Sequence, residues 1–203
     1  MDRFVLESDN LEDYLAETED IDYSNPAIRA TADELFASAQ DEIGFAKAAF
    51  EFVRDRVPHS WDIQGSRVTC RASDVLLYGE GICYAKSNLL CALLRRQGVP
   101  AGFSYQRLTW GDTPDTGYCL HALNAVYIRS LDRWVRLDAR GNKPGIDARF
   151  SLEEERLAFP VRDHYGEIDY PTLYAYPHPK TLDTLKRSSD VLEMYRTGLP
   201  TEL

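Results

Sequence analysis

Hydrophobic positions along this chain fall into helical stripes in some stretches and strict alternation in others. Between residues 83 and 96, Leu89, Leu90, Ala92, Leu93 and Leu94 keep the i, i+3, i+4 spacing, Arg95 and Arg96 follow, and Gly98 and Pro100 supply a stop. This predicts a helix beginning at Cys83, and because apolar residues cover most of its circumference, a buried and central one. A second stripe, Ala32, Leu35, Phe36, Ala39, Ile43, Ala46, Phe50 and Val53, predicts one helix over 31–52 packed beside it. A short helix over 69–78 ended by Gly79, and a C-terminal helix over 182–195, complete the helical expectations.

Alternation takes over in the middle of the chain. Residues 101–108 read as a strand, 109–117 as a polar loop, 119–128 as a second strand, 129–133 as a turn and 134–138 as a returning strand. The segment Val57-Pro58-His59-Ser60-Trp61 reads as a short edge strand or loop, because Pro58 has no N–H for a ladder. Helices surrounding a hairpin-rich sheet make the fold class α+β. With no internal repeat, low-complexity tract or linker, the expectation is a single domain over 1–203.

Composition narrows the function classes. The formal net charge of -10 argues against a phosphate backbone or an anionic membrane surface as partner, since both call for clustered Lys and Arg. Residues 1–43 hold only Arg3 and Arg29 as cations and read as a solvated acidic surface. With no basic-then-apolar leader and no run of membrane-spanning length, the expected location is the cytoplasm. Cys70, Cys83, Cys91 and Cys119 form no C-x-x-C pair, so free thiols are expected, with no metal and no cofactor. His59, His164 and His178 lack ligand spacing and read as surface or loop histidines.

Within this frame Cys83 stands out. It follows Gly79-Glu80-Gly81-Ile82 at the start of the apolar helix, where unpaired N–H groups and about half a positive charge favour thiolate over thiol. The same N–H groups suit a developing oxyanion. On the predicted hairpin, a tight turn near residue 130 brings His121 and Asp138 together, while a bulge would shift them by a few residues. Thiol, imidazole and carboxylate are the three groups that thiol-dependent acyl transfer needs. Cys119 shares a strand face with His121 by alternation but has no helix N-terminus behind it, so Cys83 is the better nucleophile.

Gly81-Ile82-Cys83, His121-Ala122-Leu123-Asn124-Ala125-Val126-Tyr127 and Trp134-Val135-Arg136-Leu137-Asp138, in that order, resemble the core pattern of the transglutaminase-like superfamily. The stretch from Leu89 to Ala101 resembles the family's helix and the Gly-Ile-Pro-Ala that ends it. This resemblance covers about residues 50 to 140, which makes 1–49 a helical N-terminal extension and 141–203 a C-terminal one. It implies a papain-like fold, with the nucleophile helix packed on an antiparallel sheet and a Cys83, His121, Asp138 triad. The implied reaction is acyl transfer at a peptide or protein carboxamide, most simply hydrolysis as in a peptidase or amidase. Transamidation by a second amine, or peptide binding without catalysis, are the alternatives. Related folds place a Trp or Gln side chain upstream of the cysteine as an oxyanion donor, which nominates Trp61 and Gln64, and Tyr84 would line the cleft.

Two departures mark this chain. Leu123 and Ala125 stand where many relatives carry Trp and Glu, which suggests an altered cleft wall or an altered contact behind it. Ala139-Arg140-Gly141-Asn142 replaces a common Pro-Thr, and Arg140 reads as a solvated loop residue, the alternative being a positive charge beside the cleft.

Overall fold

The computed structural model describes residues 4–111 and 113–203; residues 1–3 of the acidic N-terminal stretch and Asp112 of the 109–117 loop lie outside them. A two-residue strand β1 (Val5–Leu6) precedes helices α1 (Pro26–Ala37), α2 (Glu42–Arg56), α3 (Ala72–Tyr78) and α4 (Cys83–Arg96). Strands β2 (Ala101–Thr109), β3 (Tyr118–Ile128) and β4 (Arg133–Leu137) follow, then short β5 (Ile168–Asp169) and β6 (Thr172–Leu173), and helix α5 (Pro179–Arg187).

The main sheet has the order β4-β3-β2-β5 and is antiparallel throughout, while β1 and β6 form a separate parallel pair. Helix α4 lies across the sheet with α1, α2 and α3 around it, and all of its residues but Arg96 are buried. Leu89, Leu90, Leu93 and Leu94 meet Phe45, Phe50 and Val53 from α2 and Ala122, Val126 and Ile128 from β3 in one apolar cluster. This is the α+β arrangement that the pattern predicts, with the nucleophile helix packed on an antiparallel sheet as the papain-like fold implied by the resemblance requires. At the far end of α4 the buried Arg95 guanidinium donates to the carbonyls of Ala101, Ala16 and Ala175. These bonds tie the helix to β2, to the N-terminal segment and to the stretch after β6.

The second stripe is two helices rather than one. Asp41 breaks it: its carboxylate accepts the Gly44 N–H at 2.7 Å and caps a new helix, while α1 closes at Ser38. The apolar spacing continues across the break because both helices bury the same face, and that continuity is what the periodicity reports. The C-terminal helix also divides. It begins earlier, at Pro179, ends at Arg187, and restarts as a short helical turn over Val191–Glu193 capped by Asp190. The N-terminal acidic stretch is not wholly solvated either, since Asp20 is buried and paired with Lys186 at 2.8 Å.

The approach to α4 is set by backbone geometry. Gly79 closes α3 in the left-handed region at φ 67°, its N–H on the Val75 carbonyl at 2.9 Å. Val57–Trp61 is a loop, as expected, held by one isolated bridge. Gly81 N–H donates to Pro58 O at 3.4 Å and Ser60 N–H to Gly81 O at 3.2 Å, which lays His59 alongside Gly81. A Cβ on Gly81 would come within 3.1 Å of Thr69 Oγ1 and 3.3 Å of Ala85 Cβ, so a larger residue would need Thr69 and the first turn of α4 to give by a few tenths of an ångström.

Candidate active site

Cys83 is the first residue of α4, and its neighbour Ile82, an apolar N-cap, provides no side-chain acceptor for the first-turn N–H groups. They are therefore directed at whatever occupies the space ahead of the helix. That space is a cleft of about 480 Å³. Cys83, Tyr84, Cys119 and His121 line it together with Trp61, Trp110, Arg140 and Tyr195.

His121 sits in β3 and lies 4% exposed, Cys83 6% and Asp138 1%. The imidazole Nε2 is 2.8 Å from Asp138 Oδ2, and Cys83, which lines the same cleft, is near enough to favour the charged form of the ring. Since Asp138 holds Nε2, Nδ1 is the nitrogen left for the sulfur. Asp138 is itself fixed: Oδ2 accepts the Ala158 N–H at 2.9 Å and Oδ1 the Arg140 N–H at 3.2 Å. Phe159 packs edge-on against the imidazole with centroids 5.2 Å apart, shielding the pair from solvent.

Burial alone would push the His121 imidazole down, but the Asp138 carboxylate and Cys83 outweigh it and hold its pKa at about 10. Burial would likewise push Asp138 up, and the imidazolium with the two backbone N–H groups keeps it below its usual range. The remaining thiols lack such company. Burial pushes Cys70 and Cys119 up to about 12, with Asp20 adding at Cys70 and Cys83 at Cys119, and it pushes Cys91 up to about 11. Cys119 does face the cleft, as alternation predicts.

Of the other nominated residues, Trp61 and Tyr84 line the cleft, Tyr84 with its hydroxyl on the Leu120 carbonyl at 2.9 Å. Gln64 does not. It is exposed at φ 54°, and its amide turns back to the Trp61 carbonyl, because the turn that lays His59 beside Gly81 points residue 64 outward. Arg140 is no solvated loop arginine. It is 7% exposed, lines the cleft and is doubly bonded to Asp62, which also takes Lys143 at 2.6 Å. Burial would push Asp62 up, but its two cations hold it down at about 2. Leu123 and Ala125 do not wall the cleft; Ala125 packs with Tyr14, Leu173 and Ala175 in a separate small apolar cluster.

A model of the transglutaminase-like superfamily matches residues 29–139, more than half of the chain. The chain belongs to the transglutaminase-like superfamily. Among solved structures, a candidate cysteine protease of Cytophaga hutchinsonii superposes with a TM-score of 0.53 at 19% identity, over 66% of this chain and 43% of that one. The periplasmic domain of TgpA from Pseudomonas aeruginosa is similar at a TM-score of 0.47 and 20% identity, over 62% of this chain and 45% of that one. This chain thus spans less than half the length of either. No curated protein sequence matches it. Among the described residues no helix is long and apolar enough to cross a membrane.

Several side chains of this superfamily member went unread in its sequence. His59, taken for a loop histidine, is buried in the cleft with Nε2 3.1 Å from the Tyr195 hydroxyl. Lys86, one turn after Cys83, is 1% exposed and donates to the carbonyls of Val57 and Arg140. Its i+3 spacing from Cys83 was the available signal, since a lone lysine in an apolar helix must either leave the core or find acceptors. Tyr195 had none, being more than one hundred residues from the cysteine in sequence.

Proposed function

We propose that this protein is a thiol-dependent acyl-transfer enzyme that hydrolyses a peptide or protein carboxamide. The carrying observation is that Cys83 at the start of α4 and the His121 ring line one cleft, with the buried Asp138 holding that ring at 2.8 Å. In this role Cys83 attacks as the thiolate while His121 holds the proton. The S–C bond forms, the carbonyl electron pair moves to oxygen, and collapse expels the amine with the proton from His121. Water, deprotonated by His121, then releases the acid and restores Cys83. Asp138 fixes the ring orientation and stabilises the imidazolium throughout.

Water is favoured over an amine as acceptor by the charges around the cleft. Arg140, Lys143 and Arg162 line it against Glu167, with Asp62 behind the first two. Among the described residues Arg140 and Lys143 share the one carboxylate of Asp62, so an incoming lysine-type ammonium meets positive charge on that side of the cleft, which neutral water does not feel. The test is a screen of glutamine- and asparagine-containing peptides for ammonia release and backbone cleavage, run beside incorporation of dansylcadaverine. Cys83-dependent hydrolysis without amine incorporation is the expected outcome. Incorporation exceeding hydrolysis would reverse the choice of acceptor, and inertness with a slowly alkylated Cys83 would leave only peptide binding.

A further inference from the structure

Acyl transfer through Cys83 requires a second donor for the oxyanion besides the Cys83 N–H, and with Gln64 turned outward the sequence nominee closest in type is lost. Trp61, the other nominee, lines the cleft, and Tyr195 sits against it with a hydroxyl of its own to offer. Its ring lies flat on Trp61, 4.7 Å between centroids at 13°, and its hydroxyl meets His59 Nε2 at 3.1 Å. His59 in turn is anchored beside Gly81, two residues before the nucleophile. The hydroxyl is thereby held on the strip that borders the N-terminus of α4, in the same cleft as Cys83 and His121.

The direction of that hydrogen bond follows from the other side of the ring. His59 Nδ1 is buried and has no hydrogen-bond partner among the described residues. A proton there would be a buried orphan donor, whereas a proton on Nε2 leaves only an unfilled lone pair, the less costly defect. Burial, with Arg140 and Lys86 nearby, pushes the His59 pKa well down and keeps the ring neutral. His59 Nε2–H therefore donates to the Tyr195 oxygen, and the phenolic proton is left for another acceptor. Accepting one hydrogen bond polarises the O–H and strengthens the one it gives.

We propose that Tyr195, oriented by His59 and Trp61, donates the second hydrogen bond to the oxyanion formed when Cys83 attacks the substrate carbonyl. The proposal rests on the acyl-transfer reading. During attack the sulfur pair forms the S–C bond and the carbonyl pair moves to oxygen, which accepts from Cys83 N–H and Tyr195 O–H. On collapse the pair returns, the C–N bond breaks and both donors are released unchanged.

Tyr195→Phe keeps the stack on Trp61 and removes only the hydroxyl. Two readouts separate its effects: the rate of Cys83 alkylation by iodoacetamide, which forms no oxyanion, and the affinity for acetyl-phenylalanyl-glycinal, whose hemithioacetal oxygen occupies the oxyanion position. The expected result is unchanged alkylation with aldehyde affinity lowered by about 10-fold or more. His59→Gln, which still offers a side-chain N–H, should keep most of that affinity and His59→Leu should lose it, at unchanged thermal midpoints. Equal or tighter aldehyde binding by Tyr195→Phe overturns the assignment, tighter binding marking the side chain as an obstruction. A wild type that alkylates at Cys83 yet forms no adduct would instead sink acyl transfer itself, and the assignment with it.

Discussion

Asp138 stands one residue beyond the last paired position of β4, yet its carboxylate reaches His121 Nε2 at 2.8 Å. Leu137 pairs with Asn124, so a continued ladder would set Asp138 opposite Leu123, and the bond to His121 runs diagonally along β3. Leaving the ladder frees the carboxylate to take the N–H groups of Arg140 and Ala158 as well. Its position thus depends on three partners.

Asp138→Asn should preserve the fold but present an amide where the imidazolium needs a charge. We expect kcat on any Cys83-dependent substrate to fall by about 10²–10⁴-fold with a smaller change in KM. Iodoacetamide labelling of Cys83, followed by mass spectrometry across pH, should slow in both Asp138→Asn and His121→Ala. Labelling rates equal to wild type would remove the histidine from any role in activating the sulfur.

The pair also predicts a pH window for stability. His121 is raised from 6.5 to about 10, so its contribution is complete below pH 6.5 and is lost as pH rises through about 10. Asp138 is lowered from 3.8, so its contribution is present above pH 3.8 and is lost as pH falls through its depressed value. The stability gap between wild type and a His121→Gln, Asp138→Asn double variant should therefore be flat from pH 3.8 to 6.5 and shrink toward pH 10. Because Cys83 supports the imidazolium, Cys83→Ala should lower the His121 pKa in an NMR titration. A midpoint unmoved by that substitution would uncouple sulfur from ring.

Lys86 behaves in the opposite sense. Burial pushes its pKa down to about 7 from 10.5, so the unfolded chain holds more protons between those values and stability attributable to Lys86 rises with pH across that range. Lys86→Met orphans the carbonyls of Val57 and Arg140, a cost of about 2–4 kcal/mol for two buried acceptors. It also removes a buried charge, which offsets part of that cost at low pH. The destabilisation read from denaturant midpoints should thus be larger at pH 9 than at pH 6. A loss that is constant with pH would mean that the amine stays charged in the folded protein at both values, as it does in the unfolded chain.

What could be read in the sequence was whatever is written as local spacing. The α4 stripe, its Gly98 stop, the β3–β4 hairpin and the placement of Cys83, His121 and Asp138 on those elements all emerge from patterns shorter than about twenty residues. The break at Asp41 escaped because α1 and α2 bury one continuous face, and a capping aspartate is outvoted by eight periodic apolar positions. Gln64 was misplaced because its backbone conformation, φ 54°, follows from how His59 docks on Gly81. His59, Arg140 and Tyr195 escaped for a further reason: each is buried only by long-range partners, namely Tyr195, Asp62 and Trp61. Polar residues that tertiary structure makes buried look, in sequence, like the solvated ones they resemble in composition.

Asp62 offers the sharpest test of how that rim is held. It neutralises Arg140, of which only 7% of the side chain is exposed, and it also binds Lys143. Asp62→Asn would leave a buried guanidinium without its carboxylate, and because Asp62 is partly solvated we expect the lower end of the cost of breaking such pairs, about 2–3 kcal/mol. Arg140→Met should cost less, since Asp62 can then turn to water and to Lys143, and the double variant should recover much of the difference. The sign with pH follows from the depressed carboxyl. Asp62 contributes fully above pH 3.8, and its contribution is lost as pH falls through about 2, so the gap between wild type and Asp62→Asn should narrow only below pH 3.8. If strictly additive losses were measured in the double-mutant cycle, the ion pair would carry no coupling, and the position of Arg140 at the cleft would have to be held by its backbone contacts to Asp138 and Lys86.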